Sequence, residues 1–455
     1  MIPVANGSFP GVLNLADGAG PRWELLEGIN RRHGPVPLRF QLATRVEIVL
    51  HTRWIVKQLT LLAVVLVFLV ISGFAQQPIT IGFTVSRTGA LNVDSVEQDR
   101  GFELWRDQVN DAGGIKAGGK SYKVQFASYD DESNSKRVQQ LYSRMILEDK
   151  ADFLFSPYSS PLTATAAVVT EQYEKIMLTT GAAEPKTYTL GNQDLFQMFA
   201  PAPEYLKVAL DALKVKDPKA TVAFVYEDSS FSVAVVTPAK AYAQQLGFNV
   251  AFSEAYAPNT TDFSAIIDKV ITSKATVLLG GGHYADGSTL ARQLSGHKVP
   301  LKMLSLLVAP DSPQWIELGD AALGVLVPSQ WEPPSAFKAE YGPSGPDFAK
   351  AYTAKYNTPP SYESAGGYAC GLILQRAIEQ AGGIDSAKVA QALNATDVTT
   401  FYGRTKFSTA TNEHGLQVGH SMVLAQWQKD KSGKLLKEVV WPLAGKSANL
   451  MYPIH

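Results

Sequence analysis

The sequence predicts an α/β protein built on two parallel sheets, and three observations predict it. From Ile79 to Gly296, short apolar segments of strand length alternate with longer segments of helical length. That βαβα order places helices on both faces of a parallel sheet. The alternation breaks once, near Ala200 to Pro203, and then resumes, which gives two sheets and two lobes. A chain of 455 residues with 45% hydrophobic residues is also too long for one core, because single cores stop growing at roughly 250–300 residues.

Taken in order, residues 1–50 mix Gly, Pro and scattered charges with no helical or alternating periodicity. No fold is read there, and residues 1–52 are expected to be a non-structural extension, the natural start lying nearer Arg53. Arg53 and Lys57 precede a continuous apolar run, Leu59 to Ile71, and then Gly73 and Ala75 stand at positions −3 and −1 of a cut. A charged start, an apolar middle short of a membrane span and a small-residue cleavage site make 53–75 a secretory signal peptide. Cleavage after Ala75 leaves Gln76 first, and with no Cys at the cut a bacterial lipid anchor is excluded. An uncleaved N-terminal membrane anchor is the alternative.

The mature chain opens with strand ITIGFTVS (79–86), a helix over GFELWRDQVNDAGGI closed by Gly113 and Gly114, and strand YKVQFASYDD (122–131). Helix 135–150, strand DFLFSPY (152–158), helix 161–174 and strand KIMLTTG (175–181) complete the first series. The second series reads TVAFVYED (221–228), a helix over 235–247, strand 249–258, helix 263–274, strand TVLLGGG (276–282) and a helix over 287–296. Ligands of open α/β sheets sit beyond the carboxyl ends of strands. Loops 86–95, 156–163, 179–184, 227–232 and 280–286 are therefore expected to face one cleft.

The central stretch is FLFSPYSSPLTAT, Phe153 to Thr165. A strand that ends in hydroxyl residues and feeds a helix directs free N–H groups and the positive end of the helix dipole at whatever lies beyond it. Ser159, Ser160 and Thr163 add hydroxyl donors, and Tyr158 adds a flat apolar wall. The plainer reading makes Ser159 or Ser160 an N-cap and Tyr158 a packing residue. Net charge is −1, with 41 Lys and Arg against 42 Asp and Glu, so no basic field exists to hold nucleic acid. Cys370 stands alone and can form neither an internal disulfide nor a cysteine metal cluster. It reads as a small buried apolar residue.

The segments IGFTVSRTGALN, GFELWRDQVNDAGGI, YDDESNS, FSPYSSPLTAT, VYEDSSFS, TDFSAII and LLGGGHYADGSTLARQ together resemble, in order, the periplasmic solute-binding proteins of ABC importers. Within these the chain is similar to the branched-chain amino acid (Leu/Ile/Val) binding family, over Ile79 to about Trp427. The resemblance implies the type I periplasmic-binding-protein fold: two Rossmann-like lobes with parallel sheets joined by a three-crossing hinge. Crossings are expected near Phe199–Pro203, Pro328–Trp331 and Gly403–Phe407. The N-terminal lobe is then 76–200 with 331–404, and the C-terminal lobe 201–330 with 405–455.

The resemblance also implies a pocket. Ser160 takes the position of the serine that holds the ligand carboxylate, with Tyr158 and Ser159 beside it. The loop that supplies a carbonyl and a threonine reads Gly181, Ala182, Ala183, without the threonine hydroxyl. Phe231 matches the aromatic of the second lobe, His283 and Tyr284 the pair after the glycines, Asp94 the aromatic of the first loop, and Trp331 the hinge aromatic. The acid that takes the α-ammonium falls on Leu307, and the disulfide of the type members is missing. A buried ammonium without a carboxylate costs several kcal/mol. Either Asp94 or Asp286 replaces that acid, or the ligand is a small organic acid, aromatic or branched, rather than an α-amino acid.

Remaining features have plainer readings. Gly280 to Gly282 lack the Lys-Ser/Thr ending of a phosphate loop and read as a tight turn. His283 as a catalytic base is disfavoured, since no GxSxG elbow surrounds Ser160 and no third partner is evident. The histidines lack metal-ligand spacing. His414 and His420 read as surface or cap residues, Asp130 and Asp131 as loop-orienting residues, and the end of the chain from Trp441 as a drape over the second lobe. The expectation is a monomeric, non-enzymatic periplasmic binding protein without cofactor or metal. It takes a small amino acid or related organic acid, aromatic acids included, and hands it to an ABC permease in the inner membrane. The alternative is a sensor of the same fold that signals to a membrane receptor.

Overall fold

The computed structural model describes residues 57–58, 78–334 and 337–454. Residues 1–52 and, apart from Lys57 and Gln58, the predicted signal lie outside the described residues. The first series is β1 (Ile79–Val85), α1 (Asn92–Asp111), β2 (Ile115–Ala117), β3 (Lys120–Tyr122), β4 (Val124–Asp130), α2 (Ser135–Leu147), β5 (Phe153–Phe155), α3 (Ser160–Gln172), β6 (Met177–Thr179) and β7 (Leu195–Gln197). The second is α4 (Tyr205–Lys216), β8 (Thr221–Glu227), α5 (Ser230–Gln245), β9 (Asn249–Tyr256), α6 (Ser264–Ser273), β10 (Val277–Gly281), α7 (Tyr284–Gly296), β11 (Met303–Leu306) and β12 (Leu326–Ser329). Then follow α8 (Gly345–Tyr356), α9 (Tyr362–Ala381), α10 (Ser386–Asn394), β13 (Asp397–Thr400), β14 (Gly403–Lys406), β15 (Val423–Lys429) and β16 (Leu435–Trp441). Among the described residues no helix is long and apolar enough to cross a membrane.

The strands form a five-stranded sheet, β4-β1-β5-β6-β7, and a seven-stranded sheet, β16-β15-β12-β11-β10-β8-β9. The first is parallel throughout. The second is parallel from β9 to β12, but β15 runs antiparallel to β12 and β16 antiparallel to β15. For β16 the reason is local: β15 and β16 are joined by a tight turn closed by Asp430 and Lys434, and a hairpin can only pair antiparallel. In both sheets the strand formed first lies inside the second, so the order reverses between β1 and β5 and again between β8 and β10. Crevices at such reversals are where ligands bind in open α/β sheets. The loops that leave β5, β8 and β10 carry Tyr158 to Ser160, Phe231 and His283.

Helix α1 begins nine residues before the predicted start at Gly101 because its first turns bury polar residues. Asp94, Glu97 and Gln98 all face inward, which hides the apolar periodicity that marks a helix in sequence. Helices α1 and α9 pack at backbone contact. A Cβ on Gly101 would lie 2.1 Å from the Ser364 carbonyl, and one on Gly371 would lie 2.1 Å from Trp105 Cδ2. The five-stranded sheet packs one face on this pair, with Phe83, Phe102, Phe155 and Trp105 in ring contact. Cys370 is fully buried there. Asp131 accepts hydrogen bonds from the hydroxyls of Thr84 and Ser86, each at 2.6 Å, and ties the loop after β4 to β1.

The chain passes between the sheets three times, side by side. Ala200 N–H donates to Gln330 Oε1 at 2.8 Å, Gln330 Nε2 donates to Tyr205 Oη at 2.8 Å, and His420 Nε2 lies 2.9 Å from the Gln330 carbonyl. The third passage is later than Gly403–Phe407. Gln417 still bonds to Gln197 and Met198 beside the first sheet, and the second sheet is reached at Val423. His414 is not a surface residue, and His420 is half-buried. His414 is buried against Phe196, and His420 stacks on Tyr402 at 4.8 Å and 9°. Burial pulls the His420 imidazole down to about 4, so it is a neutral spacer between passages.

Candidate functional site

Residues after β5 and β6 form one stitched floor. Ser159 sits at φ 85° and caps α3, its Oγ accepting from Leu162 N–H at 3.5 Å. Ser160 Oγ accepts from the N–H groups of Ala183 and Glu184, both at 3.2 Å, and the Ser159 N–H donates to the Gly181 carbonyl at 3.0 Å. With its lone pairs engaged, the Ser160 hydroxyl keeps its proton to donate. Gly181 is at φ 72°, and a Cβ there would lie 2.6 Å from Tyr158 Cδ2 and 2.4 Å from Gln98 Oε1. Glycine lets both side chains lie against the backbone. Ala182 and Ala183 contribute carbonyls, to Gln197 Nε2 at 3.1 Å and to Ala202 N–H at 2.8 Å.

Residues after β8 and β10 form the facing wall, and His283 joins the two. Its ring lies 5.9 Å from Tyr158, edge-on, and 5.7 Å from Phe231, which in turn meets Tyr205 at 5.5 Å. His283 Nδ1 stands 3.3 Å from Glu227 Oε2. Its backbone N–H donates to Asp286 Oδ1 at 2.8 Å, and the Tyr256 hydroxyl holds the other Asp286 oxygen. Burial alone would pull the imidazole down, but hydrogen bonding and charge from Glu227, with the charges of Asp94 and Asp286, push it up to about 9. Asp94 reaches across from α1 and accepts the Tyr284 N–H at 3.3 Å, at the start of α7. Burial raises the Asp94 carboxyl to about 7 against the pull of His283 and that N–H. All five strand-end loops are thus linked to one another.

Trp331 is the predicted residue that stands apart. It is fully buried and packs on Phe348 and Phe401 in the core of the first sheet. Leu307 is also core, so the acid expected at that position has no counterpart there. The structure instead brings in acids that the motif comparison missed: Asp311 after β11, Glu332 after β12 and Glu363 at the start of α9. Asp311 Oδ2 accepts the Tyr362 N–H at 2.7 Å, and its Oδ1 pairs with Lys437 from β16, which also meets Glu332 at 3.0 Å. Glu363 is pushed well above the carboxylate range by burial and by the nearby Asp311 and Asp94 carboxyls. Asp311 lies four residues beyond Leu307, so an ungapped match passes over it.

This arrangement binds rather than reacts. The acceptor sites of the Ser160 hydroxyl are spent on amides and the His283 ring is paired with Glu227, so nucleophile and base are not coupled. His283 does have acid partners, Glu227 and Asp286, which the sequence did not show. Among the described residues no group of His, Cys, Asp and Glu is placed to hold a metal ion.

A sequence profile described as periplasmic binding protein matches residues 78–434. The chain is 23% identical over 391 residues to Leu/Ile/Val-binding protein homolog 7 of Brucella melitensis, covering 83% of this chain and 95% of that protein. In fold it is similar to a leucine binding protein from Thermotoga maritima, with TM-score 0.68, 19% identity and coverage of 79% of this chain and 97% of that one. It is likewise similar to an ABC-transporter solute binding protein from R. palustris in complex with benzoate, with TM-score 0.66, 18% identity and coverage of 82% and 98%.

Proposed function

We infer function from one premise: the chain belongs to the periplasmic binding protein family, whose members of the Leu/Ile/Val-binding type are substrate-binding components of ABC importers and not enzymes. We propose that this chain captures a small carboxylate-bearing compound, an amino acid or a related organic acid, between its two sheets and delivers it as a monomer to a membrane permease. The observation that carries this reading is the meeting of Tyr158, Phe231 and His283 from loops of both sheets. Relatives named for Leu/Ile/Val binding and a fold neighbour holding benzoate support carboxylates of both kinds. In this reading the ligand carboxylate accepts a hydrogen bond from the Ser160 hydroxyl and lies at the N-terminus of α3, while Tyr158 and Phe231 cover its apolar part. Secretion by the segment 53–75 and exposure to the periplasm complete the proposal.

A lobe that closes on ligand does so as a population shift, limited by the ligand's preference for the closed form. A thermal-shift screen of amino acids, amides and aromatic or branched carboxylates tests it. A compound at 100 times its dissociation constant is expected to stabilise the fold by about 2.7 kcal/mol, a shift of a few degrees. Phe231→Ala, which removes one wall, is expected to weaken that compound's binding at least tenfold. A panel in which nothing shifts the wild type, or a shift that Phe231→Ala leaves unchanged, contradicts the reading.

A further inference from the structure

A cavity of about 360 Å³ lies at the end of the seven-stranded sheet that is far from His283. Leu301 and Leu304 line it at the start of β11, and Leu323 and Val325 line it just before β12. His283 instead follows the end of β10, and β10, β11 and β12 run parallel, so the two places sit at opposite ends of these strands. Leu294 near the end of α7 and Ile454 near the end of the chain complete the apolar walls.

The end of the chain is fixed where it closes the cavity. Met451 N–H donates to Gln426 Oε1 at 2.8 Å, Ile454 N–H donates to the Lys302 carbonyl at 3.1 Å, and a Cβ on Gly324 would lie 2.9 Å from the Ile454 Cβ. Leu294, Leu301, Leu304, Val325 and Ile454 are each less than a tenth exposed. Protein interiors leave few voids larger than a water molecule, so a space of this size among buried aliphatic side chains is a departure from ordinary packing. Its size and lining are those of a small-molecule site, where apolar walls surround a few polar groups.

The polar groups stand at the mouth. Ser295, Lys298 and Asp320 border the cavity and are exposed. Asp320 pairs with Lys429 at 3.2 Å, whereas among the described residues no acid pairs with Lys298. An ammonium free to pair, set at the rim of an aliphatic space, complements a ligand with an aliphatic body and a negative end. We propose that this cavity is a second small-molecule site, for an aliphatic monocarboxylate whose chain lies against Leu301, Leu304 and Ile454 and whose carboxylate meets Lys298 and Ser295. The site is separate from the loops that carry Tyr158 and Ser160, and it stands whether or not a ligand binds between the sheets.

The test is calorimetric titration of the purified protein with octanoate, 1-octanol and octylamine, which share a chain and differ in the polar end. Octanoate is expected to bind saturably and at least threefold more tightly than octylamine. Lys298→Glu, an exposed change that turns attraction into repulsion, is expected to weaken octanoate at least threefold and to leave octanol unchanged. Ala321→Trp puts bulk into the cavity and is expected to weaken octanoate and octanol at least tenfold, with circular dichroism unchanged. Phe231→Ala is expected to leave octanoate binding as it is. Octanoate that fails to bind overturns the second site, and so does octanoate that binds no better than octylamine or is indifferent to Lys298→Glu. Octanoate binding that survives Ala321→Trp but falls in Phe231→Ala places the acid between the sheets, which overturns the second site and supports the proposed function.

Discussion

Lys437→Met is expected to destabilise the protein by roughly 3–5 kcal/mol, the usual cost of removing one partner from a buried ion pair. The Lys437 side chain is only 12% exposed and lies between Asp311 and Glu332. Burial alone would lower its affinity for a proton, yet the two carboxyls hold the ammonium above its ordinary range. Methionine fills the space of the stem but leaves Asp311 without its countercharge in a site closed to water. Urea denaturation measures the loss. The double variant Lys437→Met with Asp311→Asn removes the stranded countercharge and is expected to recover part of it. A loss below about 1 kcal/mol would mean that this cluster is far less charged than its geometry implies.

Stability is expected to fall as pH rises from about 5 to 9. Among the buried groups that hold protons more tightly folded than unfolded, Asp94, Glu332 and His283 set the window. Burial raises Asp94 from 3.8 to about 7, and burial, with Asp311 adding to it and Lys437 opposing it, raises Glu332 from 4.5 to about 8. Burial works against His283, but Glu227, Asp94 and Asp286 raise it from 6.5 to about 9. Where the folded state binds more protons than the unfolded, stability declines with pH. The contributions of Asp94 and Glu332 are complete below about pH 4 and are lost by about pH 7 and 8. That of His283 is complete below about 6.5 and is lost through about 9. A tenfold difference in proton affinity corresponds to about 1.4 kcal/mol, so the loss is on the order of several kcal/mol. Melting temperatures at pH 5, 7 and 9 check the sign, and a flat or rising profile contradicts it. His420, pulled from 6.5 to about 4, acts in the opposite direction below about pH 6.5, and exposed pairs such as Asp397 with Arg404 do so only below the carboxylate range.

Much of the architecture was legible because the apolar segments obey simple periods. Strands such as Ile79–Val85 and Val277–Gly281 are buried along their whole length and read as continuous apolar runs. The turn at Gly280 and Gly281, with positive φ at both, was legible from the glycines themselves. What failed were places where polar residues face inward. The early turns of α1 carry Asp94, Glu97 and Gln98 on the buried side, so a helix start signalled by apolar spacing was placed too late. The late passage at Gln417 to Val423 was missed because an isolated antiparallel bridge between Phe407 and Gln417, with the bonds of Gln417 to Gln197 and Met198, keeps the chain beside the first sheet.

The candidate site shows the same division. Tyr158, Ser159, Ser160, Gly181, Phe231, His283, Tyr284 and Asp94 lie on strand-end loops or the helix starts that follow them, and topology brings these together whatever their side chains. Trp331 was chosen by position in a family pattern, and two phenylalanines claim its ring for the core. Asp311, Glu332, Glu363 and Lys437 were invisible because they come from four distant segments, and no local spacing links them. Only the packing of β16 beside β15 and of α9 beside α1 collects them.

The central claim is that one small molecule is held between loops of both sheets. Hydrogen exchange, resolved by peptide, tests it most directly when run with and without the compound that gives the largest thermal shift. Slower exchange is expected together in Tyr158–Ala183 of the first sheet and in Gly281–Gly287 of the second. Protection confined to one sheet's loops, or appearing only elsewhere on the protein, would contradict the account.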